Sequence, residues 1–247
     1  MTTLTNPSAV TRPNTAVERC AAAIRDAILR RDLPVGGRLP PERKLAEQLD
    51  VNRTTLRAAL GRLETRGLLT VRQGSGYVVQ DYSSAGGPDL LPGLAALARQ
   101  NGQLPVVAGD LLAMRRHLAM AVLERLAVVD IAIDELQARV DEMADAVEAS
   151  ADVDELAQAD LAVLAALLDV TGSEVFKLCF NPVAAVVHEL RELREAMYAD
   201  PQTNIVGWSA LLAWLQLPKP RPLTTVAALL SERDGVVVAT LKELCDD

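Results

Sequence analysis

The sequence has few aromatic residues, few cysteines and no long apolar run. Aromatic residues make up 3% of its 247 positions, whereas 50% are hydrophobic, mostly Ala, Leu and Val. Because Ala and Leu favour helices and aromatic side chains favour strands, this composition predicts a mainly helical protein. Cys20, Cys179 and Cys245 lie far apart and form no Cys-x-x-Cys pair. We interpret them as reduced, structural thiols rather than metal ligands or redox centres.

The longest stretch without a charged residue does not have the composition of a membrane span. It covers residues 201–218, contains Gln202 and Asn204, and is bounded by prolines. The first residues also lack the basic start and the apolar block of a signal peptide. We therefore expect a cytoplasmic protein with no membrane partner.

The charge is divided unevenly along the chain. The whole sequence has a net charge of −8, but residues 1–80 contain thirteen Lys+Arg and seven Asp+Glu, a net charge of +6, and residues 81–247 have a net charge of −14. A basic first third is typical of a segment that binds a polyanion such as nucleic acid. Charge alone leaves open the alternative that an ordinary globular protein simply distributes its charge unevenly.

The first eighty residues carry the patterns of three helices followed by a β-hairpin. Apolar residues at helical spacing predict helices over residues 17–31, 41–49 and 53–66, the first with Asn14 and Thr15 as candidate caps. Two β-prone runs then flank Gln73-Gly74-Ser75-Gly76, where the glycines permit a tight turn. This order of elements predicts a winged helix-turn-helix domain.

The remaining sequence is predicted to be helical throughout. We divide the chain into a flexible N-terminus (1–15), the winged helix-turn-helix domain (16–80), a polar linker (81–88) and an all-helical domain for effector binding and dimerisation (89–247). The helical domain is expected to be a bundle of six or seven helices. Breaks between them are predicted near residues 102–105, 130, 150–152, 172, 200–202 and 218–222.

The third predicted helix separates cationic from apolar residues. Arg53, Thr54 and Arg57 fall on one side, and the leucines between positions 56 and 63 fall on the other. If the leucines are buried, the arginines project outward as in a helix that enters the major groove, where arginine binds guanine O6 and N7. Arg43 is close enough to reach the same groove. The alternative for this helix is a solvated basic face, and for the glycine-rich hairpin tip an ordinary turn without a ligand.

Four sequence blocks in this part of the chain form a specific pattern. They are Leu-Pro-Pro-Glu-Arg-Lys-Leu-Ala (39–46), Val-Asn-Arg-Thr-Thr-Leu-Arg-Ala-Ala-Leu (51–60), Leu-Glu-x-x-Gly-Leu-Leu (63–69) and Gln-Gly-Ser-Gly-Tyr-Val-Val (73–79). Together they resemble the N-terminal domain of the GntR family of transcriptional regulators. The resemblance implies a homodimer that binds a palindromic double-stranded DNA operator. It also implies a set of DNA-contacting residues, of which the last two enter the minor groove: Arg43, Asn52, Arg53, Thr54, Thr55, Arg57, Gln73 and Gly74.

The helical domain is similar to that of the FadR-like branch of this family. The similarity rests on Leu-Leu-x-x-Arg-Arg (111–116), on Asp160 and on Asn181-Pro182. In many members a helix that begins at the position of Asp160 reads Asp-x-x-x-His and holds a divalent metal with two further histidines. Leu164 occupies the histidine position here, and His117 and His188 are the only histidines of the sequence. We therefore expect no metal and no other cofactor.

The sequence leaves the class of effector open. Without a metal, a ligand must be held by an apolar cavity and a few polar groups, and Arg115 is our candidate because it lies one turn beyond the inward-facing Leu111. The alternative is that Arg115 forms an internal salt bridge. The resemblance implies acyl-CoA as effector. The missing C-terminal Gly/Ser/Trp-containing stretch of acyl-CoA-responsive members makes a fatty acid or a smaller organic acid equally plausible.

An enzyme is not expected from this sequence. It contains neither a Gly-x-Ser-x-Gly nucleophile elbow nor a Gly-x-x-x-x-Gly-Lys phosphate loop. The remaining alternative is a helical protein-interaction module without ligand-regulated DNA binding. Salt distinguishes the two functions, because DNA affinity falls steeply with rising salt and a packed protein interface need not weaken.

Overall fold

A computed structural model describes residues 15–72, 74 and 76–246. They form two compact units, one of which ends at Gly93 while the other begins at Leu94. The predicted flexible segment 1–15 lies outside the described residues except for Thr15, and so do Gln73 and Ser75 of the hairpin tip.

The N-terminal unit has the predicted winged helix-turn-helix order. Its elements are α1 (Ala16–Leu29), α2 (Glu42–Gln48), α3 (Arg53–Thr65), β1 (Leu69–Arg72), β2 (Gly76–Val79) and α4 (Tyr82–Ala85). Thr15 begins α1 with a capping box, in which its side chain accepts from the Glu18 N–H and the Glu18 carboxylate accepts from the Thr15 N–H. The two strands are antiparallel, with Leu69 opposite Val79. α1 ends two residues before the predicted Arg31, which has a positive φ of 64°.

The core of this unit determines which side of α3 faces outward. Leu56, Leu60 and Leu63 of α3 are at most 1% exposed and pack with apolar residues of α1 and of both strands. Cys20 of α1 belongs to this core, and burial raises the pKa of its thiol. Since all three leucines point inward, the opposite side of α3 is the side available to a ligand.

The segment predicted as a linker is partly folded. It contains α4, which Asp81 caps by accepting from the Ser83 N–H, and it runs into a 3-10 turn at Pro88–Leu90. Gly67 makes this packing possible, because its φ is +72° and a Cβ there would stand 2.0 Å from the Ala85 carbonyl oxygen. The compact unit thus continues to Gly93, and the predicted domain limits of 16–80 and 89–247 stay predictions.

Eight helices follow within the described residues, joined by segments of one to eight residues. They are α5 (Leu91–Gln100), α6 (Leu104–Leu126), α7 (Asp134–Glu148), α8 (Val153–Val170), α9 (Glu174–Glu189), α10 (Arg191–Met197), α11 (Pro201–Leu215) and α12 (Thr224–Asp246). Every predicted break is present. The count exceeds the predicted six or seven because Leu190, with φ −106° and ψ 105°, separates α9 from α10. None of the helices in the described ranges is long and apolar enough to span a membrane.

Two expectations for the helical part are wrong. The helix expected to begin at Asp160 begins at Val153, after the cap Asp152, so Asp160 lies in the middle of α8 with 7% exposure. Of the three cysteines, only Cys20 is buried, whereas Cys179 and Cys245 are exposed. A structural role as a packed thiol therefore applies to Cys20 alone.

Candidate DNA-binding surface and ligand cavity

The N-terminal end of α3 presents a cationic surface. Asn52 caps the helix, its side-chain oxygen accepting from the Thr55 N–H at 2.7 Å. Arg53, Thr54 and Arg57 are exposed, and Thr55 is half-buried beside them. Helix N–H groups and arginine side chains at one helix end are suited to phosphates and to base edges. The two side chains predicted for the groove, Arg53 and Arg57, thus project from the side of α3 opposite its buried leucines.

Two carboxylates of α2 form ion pairs with arginines of this surface. The Arg57 Nε donates to Glu42 Oε2 at 2.7 Å, and the Arg43 Nη1 donates to Glu47 Oε1 at 3.2 Å. Arg43 and Arg53 line one shallow groove between α2 and α3, together with Asn52. The structure therefore brings together predicted DNA contacts from two helices. Sequence reasoning missed the ion pair of Glu42 with Arg57, because the two residues are fifteen positions apart and lie on different helices. No local sequence pattern indicates such a pair.

The hairpin tip is described at Gly74, with a φ of +75°. A Cβ at this position would meet nothing within 4 Å, so the glycine is required by the backbone conformation and not by crowding. Gly74 is exposed, as minor-groove contact requires, and the predicted contact Gln73 lies outside the described residues.

The helical unit contains a largely apolar, partly open cavity of about 130 Å³. Side chains of six helices, α6 and α8–α12, line it, among them Leu123, Leu164, Phe180 and Leu211. Leu164, which replaces the histidine implied by the resemblance, therefore contributes apolar surface to the cavity. His117 and His188 are exposed on their helices and do not line it. The described residues contain no group of three or more His, Cys, Asp or Glu side chains placed to hold a metal ion.

Arg115 lines the cavity and forms the internal salt bridge that the sequence left open as an alternative, while its role in effector binding stays a prediction. Its Nη2 donates to Asp234 Oδ1 at 2.7 Å, while the Nη1 of Arg116 donates to Asp234 Oδ2 at 2.8 Å. Asp234 is 5% exposed. The Nε of Arg115 is buried and has no hydrogen-bond acceptor among the described residues.

A second polar group lies in the cavity wall around Asp160. Its Oδ2 accepts from the Tyr198 hydroxyl at 2.8 Å, its Oδ1 accepts from the Trp208 Nε1, and the Nη2 of Arg233 stands 3.6 Å from Oδ2. Burial and the neighbouring carboxylate raise the pKa of Tyr198 well above its ordinary value, so its hydroxyl remains a neutral donor. Sequence reasoning missed Tyr198, Trp208 and Arg233 because they reach the cavity from three separate parts of the chain, the end of α10, α11 and α12.

The comparisons with known proteins agree with the fold. A family model described as bacterial regulatory proteins, gntR family, matches residues 16–79. An uncharacterised HTH-type transcriptional regulator of Mycobacterium tuberculosis is 48% identical over 101 residues, which are 41% of this chain and 40% of that protein. The Uxu operon transcriptional regulator of Escherichia coli is 47% identical over 72 residues, 29% of this chain and 28% of its own length.

Longer but weaker similarity extends into the helical unit. A fatty acid metabolism regulator protein of Edwardsiella ictaluri is 34% identical over 156 residues, 63% of this chain and 62% of that protein. The chain thus spans between about a quarter and two thirds of the length of these relatives. The solved structure of Lar from Listeria monocytogenes has a similar fold, with 15% identity, a TM-score of 0.51, and coverage of 95% of this chain and 100% of that one.

All three relatives are named as regulators, two of them as transcriptional regulators, and not as enzymes, in agreement with the prediction. The family match covers the helices and the hairpin whose geometry is described above. Residues 16–79 therefore form a helix-turn-helix domain that belongs to the gntR family of bacterial regulatory proteins.

Proposed function

We propose that this protein is a cytoplasmic, DNA-binding transcriptional regulator of the GntR type. In this proposal a homodimer binds a palindromic operator, and a small acidic metabolite in the helical unit changes its affinity for DNA. One observation carries the proposal. Arg53, Thr54 and Arg57 are exposed on the side of α3 opposite to leucines that are at most 1% exposed, which is the arrangement of a recognition helix.

The exposed groups of α2 and α3 have distinct roles in this proposal. Arg53 and Arg57 bind guanine edges in the major groove, since arginine pairs with O6 and N7 at once. Thr54, Thr55 and the capped N-terminus of α3 hold phosphates, and Arg43 binds the phosphate edge of the same groove. Gln73 and Gly74 approach the minor groove from the hairpin tip.

A homodimer is proposed because a single recognition helix reads only a few base pairs. Two copies related by a two-fold axis read an inverted repeat with a spacing set by the helical turn of DNA. Sedimentation of the protein with and without a duplex tests this part, and a monomer bound to a single half-site would contradict it.

In this proposal the ligand regulates DNA binding through a difference in its affinity for two states of the protein. A ligand changes DNA binding only if it binds the DNA-competent and the DNA-incompetent states with different affinities. The mostly apolar cavity with Arg115 in its wall supports a ligand that combines an apolar body with an acidic group. The ligand classes are acyl-CoA, a fatty acid or a smaller organic acid.

The test of DNA recognition is selection of a random duplex library with the full-length protein. We expect an inverted repeat to be enriched, and the affinity for it to fall steeply between 50 mM and 200 mM salt. Arg53→Ala and Arg57→Ala should lose the selected sequence. Arg62→Ala is the matched control, because Arg62 lies on the same helix but pairs with Glu18 of α1.

Two results would contradict the regulator proposal. One is a selection that enriches no sequence with wild-type protein. The other is equal affinity of wild type, Arg53→Ala and Arg57→Ala for the selected duplex. Binding of a protein partner with little dependence on salt, in place of DNA binding, would favour a helical interaction module instead.

A further inference from the structure

The polar end of the cavity carries an unbalanced positive charge. Arg115, Arg233 and Asp160 line the cavity, and ion pairs through Asp234 add Arg116, so three arginines share two aspartates. The side chains of Asp234, Asp160 and Arg233 are 6%, 10% and 14% exposed. Because solvent screens a group in such surroundings poorly, one excess positive charge favours a ligand with one negative charge.

Two guanidinium nitrogens at this end have no acceptor. The Arg115 Nε and the Arg233 Nη2 are inaccessible to solvent, and neither has a hydrogen-bond partner among the described residues. A buried donor without an acceptor is costly, and native structures leave few of them. Both arginines line the cavity, so an anionic ligand there would meet two guanidinium groups that lack a full set of acceptors.

Asp160 does not provide the missing acceptor for these two arginine nitrogens. Its two oxygens already accept from the Tyr198 hydroxyl and from the Trp208 Nε1, and the Arg233 nitrogen stands 3.6 Å away, beyond hydrogen-bond distance. The fixed Asp160 carboxylate also disfavours a second negative charge on the ligand. The site therefore favours a monoanion over a dicarboxylate or a phosphate dianion.

We infer that the cavity binds a monocarboxylate with an aliphatic body, its carboxylate held by Arg233 and Arg115. This inference rests on the proposed function and chooses among its ligand classes. The carbonyl of an acyl thioester is neutral and leaves the excess charge unbalanced, whereas a carboxylate neutralises it. The cavity of about 130 Å³ is mostly apolar, so it suits an aliphatic body.

Calorimetric titration of the full-length protein with octanoate, octanamide and octanoyl-CoA tests the inference. The three probes share the aliphatic chain and differ in the charge and size of the head group. We expect octanoate to bind at least tenfold more tightly than octanamide, and octanoyl-CoA to bind no more tightly than octanamide. Arg233→Gln should weaken octanoate binding at least tenfold and leave octanamide unchanged. Arg191→Gln, an exposed arginine of α10, should behave as wild type.

Several results would overturn this assignment. They are octanamide binding as tightly as octanoate, unchanged octanoate binding by Arg233→Gln, or no binding by any straight-chain carboxylate from butanoate to decanoate. If circular dichroism shows that Arg233→Gln does not fold, the comparison of octanoate with octanamide on the wild-type protein decides, because it needs no variant.

The failure of this inference is separable from failure of the regulator proposal. Intact binding of the selected duplex together with no preference for octanoate would overturn the ligand assignment alone. Carboxylate binding in a protein that recognises no DNA sequence would overturn the regulator proposal and leave the ligand site in place.

Discussion

Arg57 provides a sharp test of the DNA-binding surface, because its contacts within the protein are weak. Its side chain is 67% exposed and pairs with Glu42, whose side chain is 34% exposed. An exposed ion pair contributes about 0.2–1 kcal/mol to folding. Arg57→Ala should therefore lower the free energy of unfolding by no more than about 1 kcal/mol and leave the fold intact.

The expected effect on specific DNA binding is larger. A bidentate contact of arginine with guanine contributes about 1–3 kcal/mol, and a symmetric dimer loses two of them, about 2–6 kcal/mol in total. This corresponds to a fall in operator affinity of roughly 30-fold to 20,000-fold. Part of the loss arises from Glu42, which is left without Arg57 and repels the phosphates. The double variant Arg57→Ala/Glu42→Gln should therefore bind DNA more tightly than Arg57→Ala.

Fluorescence anisotropy with the selected duplex and a scrambled duplex at two salt concentrations measures these effects. A base contact predicts a large loss on the selected duplex and a small loss on the scrambled one. An equal loss on both duplexes, with a shallower salt dependence, would mean that Arg57 binds a phosphate. Unchanged affinity for both would refute the orientation of α3 on DNA.

Three further predictions concern folding. Leu60→Ala removes a side chain that is 1% exposed and should destabilise the N-terminal unit by about 2–5 kcal/mol, measured by urea denaturation; a value under about 1 kcal/mol would contradict its place in the core. Gly67→Ala should destabilise the same unit, because φ is +72° and the added Cβ meets the Ala85 carbonyl; a melting temperature equal to wild type would refute this close contact. The raised pKa of Tyr198 favours its neutral form in the folded state, so this contribution to stability is complete below the unfolded pKa of about 10 and is lost above it. Tyr198→Phe should reduce the loss of stability above pH 10. Parallel profiles of the free energy of unfolding against pH for variant and wild type would contradict a raised pKa of Tyr198.

The hairpin, the capped first helix and the orientation of α3 were determined by local sequence. The features that predict them each involve only a few neighbouring residues: Thr15 with Glu18, the glycines at 74 and 76, and the spacing of the leucines in α3. Such features can be recognised in the sequence before the fold is known. The break between α9 and α10 could not be predicted from the sequence. Leu190 is buried and continues the apolar spacing of α9 into α10, while its backbone is extended.

The ligand cavity shows the limit of sequence reasoning. Arg115 was identifiable because it follows the apolar side of one helix, but its salt bridge joins residues 119 positions apart. Asp160, Trp208 and Arg233 come from three helices and Tyr198 follows a fourth, and their contacts exist only once those helices pack. The sequence by itself determined the amphipathic helices and the division of charge between the two parts of the chain. Only the tertiary structure decided which charges are buried together and which remain unbalanced, because burial and distance depend on packing between residues far apart in sequence.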